Sequence, residues 1–393
     1  MDFLIEGAAL LPELQTLRRQ LHRDPEIGLD LPRTQRRVLD AIADLGLEIT
    51  LGTRTTSVVG ILRGARPGPV VLLRGDMDGL PVQEQTGLAY ASTSGAMHAC
   101  GHDLHTTALI GAARLLAAHR NELPGTVVFM FQPGEEGHGG AEIMLEEGLL
   151  EAAGQRPVAA YAAHVAPGPF GVAGTRLGPL MAGANALTIT VHGRGGHGSM
   201  PSTAVDPVPA LAEIVTALQV MATRDFDPFD PVIISVTMLE AGKALNVIPD
   251  AASLHATVRT LSHASFDLVA DRTKRLADGI AAAHGCTAEV ELTAQFPVTV
   301  NTSPETERTI EVLRDLLGQQ RVLLMPQPIM GSEDFSFVLN EVPGTFFMMM
   351  CTPPEIDVAT AAYNHSPFVV FDDAVLGDLA AALARLAWDR LGA

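Results

Sequence analysis

The chain has 393 residues, 47% of them apolar, and a formal net charge of −19. That length exceeds one ordinary domain, and that charge argues against nucleic acid or an anionic membrane surface as partner. No apolar run reaches the roughly 18–20 residues of a membrane span, the N-terminal stretch lacks the basic start and apolar core of a secretory signal, and three widely spaced cysteines make no disulfide framework, so a cytoplasmic protein is expected.

Residues 34–49 show helical spacing that ends near Gly46. The run PVVLLRGDMD (69–78) is apolar throughout and stops at polar residues, the pattern of a buried parallel strand. Residues 103–119 form the clearest helix, with Asp103 as the expected cap. GTVVFMFQP (125–133) and VAAYAAHV (158–165) read as two further buried strands. The alternation predicts an α/β fold with a mostly parallel sheet and helices on both faces. Ligands of such sheets bind beyond the carboxyl ends of the strands. Near residue 182 the pattern changes. ALTITVHG (186–193) alternates, then come a helix near 207–222, strands at 231–240 and 252–260, a helix near 265–284 and a strand at 287–296. That β-α-β-β-α-β order predicts a ferredoxin-like α+β domain. The expected organisation is a catalytic domain of residues 1–181 and 297–393, with residues 182–296 inserted as a second domain.

Potential ligands gather at the strand ends. Cys100 and His102 are two apart, so in an extended segment they point the same way. Glu135 and Glu136 follow one strand, His164 ends the next, and His365 lies in YNHSPF. A thiolate, three imidazoles and a carboxylate suit zinc, or manganese, cobalt or nickel. Five protein ligands exceed one four-coordinate site with an open position, so two ions sharing a bridging ligand fit better. One glutamate then binds metal and the other moves a proton between water and a leaving nitrogen. Glu135 is assigned the proton and Glu136 the metal, although spacing alone does not decide between them. A cysteine hydrolase with Cys100 as nucleophile is the competing reading, and it leaves the glutamate pair and His365 without work. Asp76 and Asp78 either orient a ligand imidazole or pair with Arg74. His105 is a supporting or structural residue.

The segments RGDMDGLPVQE, MHACGHDLHTTALIGAA, FQPGEEG with GGAEIM, AAHVAPGPFGV, HGRGGHGSMP, ALNVIP, ATVR, MGSEDFS and NHSPF occur in the order found in the aminoacylase/carboxypeptidase family of dinuclear metallopeptidases. The chain resembles its amidohydrolase branch, which includes hippurate, N-acyl-amino-acid and indole-acetyl-amino-acid hydrolases. The resemblance implies Cys100 as bridging ligand, His102, Glu136, His164 and His365 as the other ligands, and Glu135 as general acid/base. It implies that the inserted domain is a lid that often mediates a homodimer, and that His197 stabilises the oxyanion from the partner. It also implies that Asn246 and Arg259 contact the substrate amide and carboxylate, and that Gly331 lines the site. Leu104, Gly134 and Ser202 depart from the family pattern, and the first two are expected to reshape the substrate pocket. The implied activity is hydrolysis of an N-acyl amino acid to a carboxylic acid and an amino acid. A dipeptidase, a biosynthetic deacetylase and a non-catalytic binding protein on the same scaffold are the alternatives.

Overall fold

A computed structural model describes residues 1–392. The chain divides into two compact units. The first comprises Met1–Leu180, Val300–Gln327 and the chain from Asp334 onward; the second comprises Met181–Thr299 and Pro328–Glu333. The last of these segments was expected with the first domain. It groups with the second because Ile329 bridges Met181 and its carbonyl accepts the Ala182 N–H at 3.0 Å.

The first unit opens with α1 (Phe3–His22), α2 (Pro32–Ile42), β1 (Glu48–Leu51), β2 (Val58–Arg63) and β3 (Arg66–Asp76). It continues through α3 (His102–Ala118), β4 (Pro124–Gln132), α4 (Gly140–Glu146), β5 (Ala159–Ala166), β6 (Ala173–Thr175) and β7 (Gly178–Met181). The second unit carries β8 (Gly183–His192), β9 (Gly196–His197), α5 (Pro207–Arg224), β10 (Ile233–Ala241), β11 (Val247–Ile248), β12 (Ala251–Thr260), α6 (His263–Ala283) and β13 (Thr287–Phe296). After β14 (Thr299–Asn301), the first unit is completed by α7 (Ser303–Leu317), β15 (Val322–Leu324), α8 (Phe335–Glu341), β16 (Gly344–Met350) and α9 (Leu376–Leu391).

The large sheet has the order β1-β2-β4-β3-β5-β16-β6-β15. Its centre is parallel, since β3 runs with β4 and β5, and β5 with β16. Central strands lie buried on both faces, which is why β5 reads as an unbroken apolar run rather than an alternating one. Helices α1, α3 and α9 pack on one another, and α3 and α9 lie against β3. Leu14, Leu104, Leu109, Phe129, Leu379 and Leu383 belong to the core that results. Because β3, β4 and β5 are parallel, their carboxyl ends and the residues beyond them emerge at one edge.

The second unit has an antiparallel sheet of order β10-β12-β8-β13 with α5 and α6 packed against it. Leu187, Ile189, Ile214, Leu218, Leu254 and Val258 fill its core. The alternating burial of β8 and β12 follows from one covered face.

No helix of the described residues is long and apolar enough to cross a membrane.

Candidate metal centre

Gly101 makes the turn from the cysteine loop into α3. It caps the helix in the left-handed region at φ 85°, and a Cβ there would sit 2.2 Å from Val165 Cγ2. A side chain is therefore excluded twice, by backbone conformation and by the close approach to β5. Asp103, expected as the cap, lies instead in the first turn. Its carboxylate faces Arg18 and His22 of α1, each at 2.7 Å.

The tertiary fold brings Cys100, His102, Glu135, Glu136, His164 and His365 together. Among the described residues, five sets of three donors have their ligand atoms within 4.8 Å of one another, and two of them share Cys100: Cys100 with His102 and His164, and Cys100 with Glu136 and His365. Cys100 belongs to both. Its Sγ is 3.3 Å from His164 Nε2 and 3.3 Å from His365 Nε2. Glu136 Oε1 is 3.2 Å from His365 Nε2. Burial alone would raise the Cys100 thiol, but the imidazoles of His164, His102 and His365 outweigh it and hold the group well below its ordinary value. Burial raises Glu136. Bonds to Cys100 and Glu136 raise His365 to about 10.

The surroundings settle which ring nitrogen each histidine presents. His102 Nδ1 donates to Asp78 Oδ1 at 3.2 Å, and its Nε2 is buried without a hydrogen-bond partner. His164 Nδ1 donates to the Val165 carbonyl at 2.7 Å, which leaves Nε2 on the Cys100 side. Asp78 also accepts the backbone N–H groups of Glu135 and Glu136, both at 3.1 Å. One carboxylate thus holds both the His102 imidazole and the turn bearing the glutamates. The orphaned His102 nitrogen and a donor set of sulfur, imidazole and carboxylate fit two borderline-soft divalent ions.

Asp76 and His105 support this centre from behind. Asp76 pairs with Arg74 at 2.7 Å and accepts from His105 Nδ1 at 2.6 Å. His105 Nε2 in turn accepts the Val165 N–H at 2.8 Å. Both nitrogens of His105 are committed, so the neighbouring trio of Asp76, His102 and His105 is no ion site. Burial pushes His105 down to about 4, in keeping with a neutral ring.

Sequence reasoning missed Asn364. Its Nδ2 donates to the carbonyl of Val165 at 3.2 Å and points at that of Cys100 at 3.4 Å, tying the cysteine loop to β5. His365 is the one non-glycine residue at positive φ among the described residues, at 71°. Its backbone N–H is anchored on the Ala99 carbonyl at 2.9 Å. Nothing in a histidine codon position announces such a conformation. Leu104 is fully buried in the apolar core, so it shapes no substrate pocket. Gly134 sits at φ 73°, where an added Cβ would meet Leu29 at 2.4 Å; this chain requires glycine there. Ser202 lies exposed in a short turn, Pro201–Thr203.

The remaining predicted residues lie in the second unit. His197 on β9 pairs with Val247 of β11, and the Gly198 N–H donates to the Asn246 carbonyl at 2.8 Å, so His197 and Asn246 are neighbours. His197 Nδ1 accepts from the Ser199 hydroxyl at 2.8 Å. Arg259 is half-buried on β12 and donates to Thr257 Oγ1 at 2.6 Å. No acidic side chain among the described residues pairs with it, and burial lowers it. Gly331 lies beside Met181 and Ile329.

Comparison with known proteins places these residues in context. The profile described as peptidase family M20/M25/M40 matches residues 72–389. The chain is 37% identical to the IAA-amino acid hydrolase ILR1-like 2 of Arabidopsis thaliana, over 94% of this chain and 83% of that protein. It is 34% identical to the hippurate hydrolase of Campylobacter jejuni, over 98% of this chain and 99% of that one. Among solved structures, the YXEP protein of Bacillus subtilis, a dinuclear metal binding peptidase from the M20 family, matches with a TM-score of 0.85 at 32% identity, covering 98% of this chain and 99% of that one.

Proposed function

This chain belongs to peptidase family M20/M25/M40, and from that membership we propose that it hydrolyses N-acyl amino acids to a carboxylic acid and a free amino acid. The observation that carries the reading is the pair of donor triads sharing Cys100. Cys100, His102 and His164 would hold one divalent ion and Cys100, Glu136 and His365 the other, zinc or else manganese, cobalt or nickel; bound there, such ions would supply Lewis acidity toward a carbonyl and acidify a water. Glu135 is buried beside these residues, its Oε2 3.9 Å from His102 Nε2; it groups with His102 and Glu136 rather than with Cys100. It takes the proton from water and delivers it to the leaving nitrogen.

In the second unit, Arg259 binds the amino-acid carboxylate through its guanidinium fork. Asn246 contacts the amide and His197 stabilises the tetrahedral oxyanion. The unit acts as a lid, with Gly331 lining the closed site. It also carries the dimer contact of a cytoplasmic homodimer. Phe229, Met238, Leu239 and Leu245 on that unit are exposed apolar side chains of the kind such a contact would cover.

Glu135→Gln tests the mechanism. Metal content should stay at wild-type level while kcat on acyl amino acids falls by about 10²–10⁴. Unchanged turnover overturns the assignment. A panel of acylated and free-amine substrates, read by amine release, separates the amidohydrolase from a dipeptidase.

A further inference from the structure

Two carboxylates, Asp103 beside His102 in sequence and Glu84 beside Gln85, meet on one histidine. His22, at the C-terminal end of α1, is 2% exposed. Its Nδ1 is 2.7 Å from Asp103 Oδ2 and its Nε2 is 3.2 Å from Glu84 Oε1. An ionised carboxylate only accepts, so His22 donates at both nitrogens and is an imidazolium. Arg18, one turn earlier on α1, lies with Nε 2.7 Å from the same Asp103 oxygen and donates to the Tyr90 hydroxyl at 2.9 Å. Arg18 and His22 face Asp103 and Glu84 in a buried cluster, with Asp373 Oδ2 3.9 Å from Arg18 Nη1 at its edge.

Each carboxylate leads to a different ligand. Asp103 is the residue after His102. Glu84 accepts the Ser92 N–H at 2.6 Å and the Thr86 hydroxyl, which shapes the 84–92 loop. The next residue, Gln85, donates its N–H to the Pro367 carbonyl at 2.8 Å, two residues beyond His365. His365 stands in the left-handed region, a conformation that persists only where the surroundings enforce it. The Gln85–Pro367 bond is one of those restraints and the His365–Ala99 bond is another.

We propose that His22 is a positioning residue that sets the spacing of the two donor triads, holding His102 through Asp103 and the His365 loop through Glu84 and Gln85. The inference rests on the two-ion reading above. It assigns the buried Arg18 and His22 of α1 to the support of the metal centre, although neither is a ligand. Loss of a partner behind a ligand typically weakens metal binding about 10–100-fold.

The two arms are separable by isosteric changes. Metal-free protein is titrated with Co(II), followed by the thiolate-to-cobalt charge-transfer band and by metal analysis. Wild type should take up two equivalents. His365→Ala should abolish the one held by the half-exposed triad and so identify that step. Glu84→Gln should weaken that same step about 10–100-fold and leave the other unchanged, while Asp103→Asn should weaken the His102 step. His22→Leu should weaken both. A general loss of stability would move both steps together in every variant. Two equivalents in wild type with the His365 step unaltered in Glu84→Gln, or both steps shifted equally by each single-arm variant, overturns the positioning role alone. Fewer than two equivalents in wild type overturns the two-ion reading and this inference with it.

Discussion

The sulfur of Cys100 lies 3.3 Å from imidazole nitrogens of both His164 and His365, two residues that join the chain at far-apart points. Serine keeps the shape but supplies no thiolate to share between ions. Cys100→Ser should therefore drop metal content from about two equivalents to one or fewer and remove the sulfur charge-transfer band of the cobalt form; full stoichiometry would rule out bridging. His98 offers a different residue-scale test. Both its ring nitrogens are buried without a partner, and burial lowers it to about 4, as it does His105. In the unfolded chain both take up a proton near pH ~6.5, whereas folded they stay neutral, so their share of stability is lost as the pH falls from there toward 4. His22 is raised and has the opposite sign: its share is full below ~6.5 and fades as pH rises through the folded value. His98→Leu should flatten the fall in urea midpoint between about pH 6 and 4.5. An unchanged slope would show that His98 takes no part in the acid transition.

At the scale of elements, β3, β4, β5 and α3 were legible because buried parallel strands and their covering helix are apolar on every side. Helix α1 was not among the expected elements. Pro12 interrupts its backbone bonding, and its face is defined by α3 and α9, which are far away in sequence. The α3 start was placed within one residue, yet its cap was misassigned. Asp103 has the right chemistry for a cap, but Arg18 and His22 claim its carboxylate, and Gly101 turns the chain instead. Gly101→Ala should cost roughly 2 kcal/mol or more, from the forced positive φ and the clash with Val165. Circular dichroism should show a lowered Tm, together with weakened metal uptake because the Cys100–His102 turn is displaced. A wild-type Tm would mean that β5 gives way freely.

For the whole molecule, every proposed ligand lies in the first unit. Ions that bind only the folded state stabilise it by RT ln(1 + [L]/Kd), about 4 kcal/mol at a thousandfold excess over Kd. Chelation should therefore lower the first unit's calorimetric transition by several degrees while leaving the second unit's in place. Equal shifts in both would show that the units unfold as one. That Cys100, His102, Glu136, His164 and His365 would gather in one place was legible from sequence, because metal binding restricts residue type and strand ends restrict location. A shared Cys100 was expected, but which donors group with which on either side of it was not legible, because that depends on distances between segments hundreds of residues apart. The sequence by itself determined the ligand chemistry and the alternation that builds the sheet. Only tertiary packing decided that Leu104 faces the core, that Asp78 holds both His102 and the glutamate turn, and that His22 stands between two carboxylates. Residue type records which bonds a side chain is able to make, whereas which of them it makes depends on neighbours that folding alone brings into range.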